Sequence, residues 1–191
     1  MMQHVWFLIG LALVVFVWIQ RRRRQEQQRK GILWNNSTYR VLHRENSQQA
    51  AQLLHQLNQA ILELISHLQI KFPSHPAVLL IQERYRPENV VEGDPNDKVA
   101  TFTENKGERV VMCLRNRETD ELHDFNLLLY PMIHELAHHG VPSYTGHGRE
   151  FQETFAFLLK EAQTAGIYTP IDFQTTPQKY CNLTITDAYK H

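Results

Sequence analysis

The run His134-Glu135-Leu136-Ala137-His138 constrains this chain more than any other feature. Apolar residues at Leu128, Leu129, Met132, Ile133, Leu136 and Ala137 predict a helix over residues 126–139, stopped by Gly140 with Pro142 beyond it. Residues four apart on a helix share one face a turn apart, so His134 and His138 form a two-pronged metal grip. Neutral imidazole suits zinc, and a zinc ion that does chemistry takes three protein ligands and leaves a fourth position to water. Glu135 is rotated about 100° from His134, off the ligand face and placed to take a proton from that water as a general base. Past Pro142 the chain can turn back to deliver His147, flanked by Gly146 and Gly148, as the third ligand. His139, five residues from His134, leaves the ligand face and is read as a neighbour of the site or a solvent-facing residue. The candidate metal ligands are therefore His134, His138 and His147, and the candidate catalytic residue is Glu135. Glu150 and Asp172 are next in line should His147 not ligate.

The length of 191 residues fits one domain plus an appendage. Formal net charge is zero, but residues 1–44 hold eight Lys or Arg and one acidic residue, which leaves residues 45–191 at −7. Residues 5–19 are an unbroken apolar run followed at once by Arg21 to Arg24, with Trp6 and Trp18 near its ends. That pattern predicts a transmembrane anchor over residues 1–20, a basic juxtamembrane linker over 21–44 and a folded domain over 45–191. The positive-inside tendency predicts a single-pass membrane protein with its catalytic domain on the cytoplasmic side.

Within the domain, Ala50, Leu53, Leu54, Leu57, Ile61, Leu64, Ile65 and Leu68 recur at threes and fours after the N-cap candidates Asn46 and Ser47. This predicts an amphipathic helix packed on a sheet, with His55 and His67 on its wet face. Residues 77–85 read as a strand, and residues 99–103 with 109–115 as a hairpin about the turn Glu104-Asn105-Lys106-Gly107. A helix over 149–165, with Phe151, Phe155, Leu158, Leu159 and Ala162 on one stripe, ends at Gly166. A short strand is predicted at 183–186. The order of elements gives an α+β domain. Cys113 and Cys181 are too few to staple a secreted fold and agree with a reducing compartment, and whether they pair is left open.

HELAHH, the following GHGREF and the upstream ENKGERVVMCLR resemble the WLM family of minimal zinc peptidases, related to the SprT/Spartan group, and above all its short versions from large DNA viruses. The likeness runs from about residue 45 to about residue 187 and includes the tail around Lys179-Tyr180-Cys181-Asn182. The family's histidine pair, glutamate and later histidine map onto His134, His138, Glu135 and His147, with His147 four residues before Phe151 rather than two or three. The resemblance implies a minimal zincin-like metallopeptidase domain with Zn2+ as cofactor and a protein or peptide as substrate. It also implies an edge strand upstream of the metal helix that holds the substrate backbone, which nominates residues 109–115. Tyr144, Arg149 and Tyr168 are candidates for stabilising the oxyanion by their place in sequence.

The functional expectation is a membrane-anchored zinc-dependent metallopeptidase that hydrolyses peptide bonds with Glu135 as base. One alternative is a zinc-stabilised structural or interaction module on a virion membrane, for which the Glu135 carboxylate has no use. A second is a protease for proteins crosslinked to DNA. Affinity for DNA comes largely from Lys and Arg, so a domain at −7 without a basic stripe is expected to have no nucleic acid partner.

Overall fold

The computed structural model describes residues 2–27, 29–94, 100–105, 107–142 and 146–186. Helix α1 (Met2–Gln27) leads into β1 (Arg29–Trp34) and β2 (Ser37–Leu42), then α2 (Ser47–Lys71) and α3 (Pro76–Arg84). A 3-10 turn at Pro87–Asn89 precedes β3 (Val90–Glu92), β4 (Phe102–Glu104) and β5 (Arg109–Met112). Helices α4 (Phe125–Gly140) and α5 (Arg149–Thr164) follow, and the hairpin β6 (Gln178–Tyr180) and β7 (Leu183–Ile185) closes the chain. The architecture is α+β.

The sheet runs β1-β2-β3-β5-β4. Strands β2, β3 and β5 pair in parallel, and both flanking pairs, β1·β2 and β4·β5, are antiparallel. All eight apolar positions of the α2 stripe are buried, and the helix packs on β1, β2 and β3 as well as on α4. Each fully buried Leu or Ile of that stripe contributes roughly 1.5–3 kcal/mol relative to exposure. His55 and His67 are half-buried on α2, bonded to the Tyr39 hydroxyl at 2.8 Å and the Glu161 carboxylate at 2.9 Å. Beneath the sheet's centre, the fully buried Glu92 holds Arg115 at 2.5 Å and accepts from the Leu42 N–H at 2.7 Å, which ties β2, β3 and the chain after β5 together.

Four expectations change. Residues 77–85 form α3 and the cap that follows it, rather than a strand. Ala77, Val78 and Ile81 are buried while Leu79 is half exposed; a strand would have put Leu79 on the same face as Ala77 and Ile81. The stretch expected to be a linker contains β1 and β2, joined in a hairpin through Asn35 and Asn36, both at positive φ. The edge of the sheet beside α4 is β4, whereas β5, within 109–115, lies inside the sheet between β3 and β4.

The fourth concerns the membrane. Residues 5–19 are helical within α1, and their described side chains, such as Trp6 and Phe7, are exposed. Among the described residues no helix is long and apolar enough to cross a membrane. The apolar run rises only about 22 Å at 1.5 Å per residue, against a hydrocarbon core of about 30 Å, and the helix then continues through four arginines. The expected single-pass membrane topology, with a cytoplasmic catalytic domain, is overturned.

Candidate metal centre

Helix α4 starts at Asp124, whose Oδ1 accepts from the N–H groups of Asn126 at 2.8 Å and Leu127 at 3.2 Å. It ends at Gly140, where a Cβ would come within 3.0 Å of Thr154 on α5 and 3.2 Å of Ala77 and Ile81 on α3. Glycine therefore lets three helices meet at the end of the histidine-bearing turn. Arg84, at the end of α3, donates from Nη1 to the carbonyls of His139 at 2.9 Å and Val141 at 2.7 Å, so a cation satisfies the C-terminal carbonyls of α4.

His134 and His138 are half-buried on α4, and His147 reaches them from the exposed loop before α5. Their ring centroids lie 4.8 to 5.2 Å apart, and one nitrogen from each lies within 4.8 Å of the others. Nε2 of His147 stands 3.0 Å from Nε2 of His134. Among the described residues this is the one group of histidines, cysteines or acids that could hold a metal ion. Burial, then the neighbouring His147 and His139, push the His138 imidazole down to about 4, so it is neutral at pH 7 and its lone pair is available.

The floor under all three rings is Phe151, on the first turn of α5, with centroids 4.8 Å from His134, 4.4 Å from His138 and 4.7 Å from His147. Phe155 lies 5.2 Å from His134 as well. The aromatic stripe of α5 thus serves the core and supports the histidines at once.

Glu135, next to His134 on α4, is buried against the edge of the sheet. It is 4% exposed, and its Oε2 accepts from the Thr103 hydroxyl of β4 at 2.7 Å. Burial pushes the carboxyl up to about 7, against hydrogen bonds from the Thr103 side chain and backbone that favour the ionised form. His139 is completely buried rather than solvent-facing. Its Nδ1 bonds the Glu135 carbonyl at 2.9 Å, and its other edge faces Gly107 so closely that a Cβ there would lie 2.5 Å from Nε2. Gly107 has φ +108, so glycine is needed there for conformation and for space.

The remaining candidates fall in different places. Tyr168 is buried against Tyr130, one helical turn before His134. Arg149 is exposed and paired with Glu153 at 2.7 Å, and Tyr144 lies outside the described residues. Neither fallback ligand joins the histidines: Asp172 accepts from the N–H groups of Gln174 and Thr175, and Glu150 borders a surface cavity of about 310 Å³ with His75 and Phe157. Cys113 and Cys181 form a disulfide that fastens the β6–β7 hairpin to the end of β5. Sequence reasoning missed Thr103, Arg84 and the supporting role of Phe151. Phe151 carried a signal for its place at the site, as an apolar residue four positions past the third histidine.

An uncharacterized protein of Acanthamoeba polyphaga mimivirus is 31% identical over 188 residues, covering 96% of this chain and 94% of its own length. An uncharacterized protein of Invertebrate iridescent virus 6 is 31% identical over 85 residues, 42% of this chain and 44% of the relative. Both are proteins of large DNA viruses. The crystal structure of Wss1 from Saccharomyces cerevisiae aligns with a TM-score of 0.46 and 18% identity, over 66% of this chain and 89% of that one. The family model for the WLM domain matches residues 34–183, from the end of β1 into β7, and the chain belongs to that family.

Proposed function

We propose that this chain is a zinc-dependent metallopeptidase, with His134, His138 and His147 as metal ligands and Glu135 as general base. The observation that carries the reading is the convergence of three imidazoles beside a buried carboxylate on the same helix. The donor set fits zinc: three nitrogens leave one tetrahedral position open, and neutral imidazole is the protonation state that binds. Membership of a zinc-dependent protease family supports the same reading.

A bound zinc ion would polarise the scissile carbonyl and acidify water at the open position. Glu135 accepts the proton of the attacking water on its carboxylate and hands it to the leaving amine. Its carboxyl near 7 suits both halves of that exchange, and a bound cation favours the ionised form with which the exchange begins. Strand β4 lies at the border of the sheet, and the edge-strand role of holding an extended peptide with little sequence preference falls to it. A zinc-stabilised scaffold would need the histidines but would gain nothing from burying Glu135 beside them.

Metal analysis of the full chain tests the ligand set. One zinc per chain is expected, lost or weakened in His134→Ala, His138→Ala and His147→Ala; parent-level zinc in His147→Ala would remove that residue from the set.

A further inference from the structure

The anchorage of Glu135 belongs to one residue of the edge strand. The Thr103 hydroxyl donates to Oε2 at 2.7 Å, and the Thr103 backbone N–H donates to the same carboxyl. Because β4 pairs with β5 on one side only, an N–H that does not serve that ladder points sideways past the edge of the sheet, and at Thr103 it meets the carboxyl. The strand is itself held in place two residues earlier. There Thr101 Oγ1 accepts from the Cys113 N–H at 3.1 Å and bonds the buried Tyr180 hydroxyl, and the Cys113–Cys181 disulfide fastens Tyr180's hairpin to β5. Two donors from one β-branched residue, whose side-chain torsion is stiff, fix both the place and the plane of the carboxylate.

We propose that Thr103 is the positioning residue for Glu135, holding the carboxylate by its hydroxyl and backbone N–H so that its place and plane stay fixed for proton transfer. This rests on the proposed peptidase reading. Loss of the hydroxyl leaves one donor and lets the buried carboxylate swing, which costs the chemical step rather than substrate affinity.

The test compares the zinc-loaded full chain with Thr103→Val and Thr103→Ser. In Thr103→Val, kcat should fall at least about tenfold, a part of the ~10²–10⁴-fold that a general base supplies, with zinc content unchanged. KM should stay within about twofold of the parent, and Thr103→Ser should recover most of the lost kcat. A Thr103→Val enzyme with parental kcat, or a Thr103→Ser enzyme as impaired as Thr103→Val, overturns the proposal. A second measurement needs no turnover: amide hydrogen exchange at Thr103 in the metal-free full chain. Glu135→Ala should speed it at least about tenfold while the β5 amides stay protected, because an edge-strand amide that loses its acceptor is open to water. Unchanged exchange overturns the anchorage. An inactive parent whose Thr103 amide still responds to Glu135→Ala counts against the peptidase reading and for the anchorage.

Discussion

The ring of Phe151 lies 4.4 Å from that of His138, centroid to centroid, and it also touches His134 and His147. The first turn of α5 therefore shapes the histidine centre without contributing a ligand. Phe151→Ala should cost roughly 3–5 kcal/mol of stability through the cavity it leaves. Phe151→Leu should keep most of the stability yet weaken zinc binding by about 10–100-fold, as loss of a ligand's supporting contact does. Denaturant unfolding and zinc titration separate the two effects. Parental zinc affinity in Phe151→Leu would mean that the backbone alone orients the imidazoles.

The disulfide makes a second prediction. Cys113 and Cys181 are separated by 68 residues, so the cross-link removes a large loop's freedom from the unfolded chain, worth about 4 kcal/mol on the chain-entropy account. Cys113→Ser should lower unfolding stability by an amount of that order, and reductant should lower the parent to nearly the same level while leaving the variant unmoved. A parent indifferent to reductant would contradict the bond.

Glu161 predicts an acid-sensitive clamp between α2 and α5. Burial works to raise its carboxyl, but hydrogen bonds from Lys71 at 2.8 Å and His67 at 2.9 Å outweigh that and hold it below its usual value near 4.5. A carboxyl depressed in the folded state adds stability that is present above the unfolded value and lost as pH falls through the folded one. Glu161→Gln should therefore be less stable than the parent at pH 7, and the gap should begin to narrow below about pH 4.5 and close as pH falls through the lower folded value. Melting curves across pH 3 to 7 check this; a gap that persists in acid would assign the loss to packing.

Much of this could be read ahead, and the misses have physical causes. Helix α4 was legible because an apolar stripe and a stop signal agree on it, and α2 because its stripe runs unbroken from Ala50 to Leu68. The hairpin of β4 and β5 was legible from its turn. Helix α3 was misread because a short apolar run suits either period, although Pro76 at its first turn and Arg84 at its last are helix signals. Thr103 could not be found, since its partner is 32 residues away and nothing local links a threonine on a strand to a glutamate on a helix. His147 was reachable by chain geometry, but the aromatic ring beneath it reads in sequence only as one member of the apolar stripe of α5.

Residues 45–191 carry a formal charge of −7, which predicts little dependence on nucleic acid. Peptide hydrolysis by the full chain at physiological salt should change by less than about twofold when single- or double-stranded DNA is added. Strong stimulation would favour the crosslink-protease reading.

Turnover of a peptide substrate by the full chain beside Glu135→Gln, at equal zinc content, bears on the central claim most directly. The amide is nearly isosteric with the carboxylate but cannot take the proton, so the variant should keep its zinc and fold and lose at least about 10²-fold in kcat. Parent and variant turning over at the same rate would contradict the account.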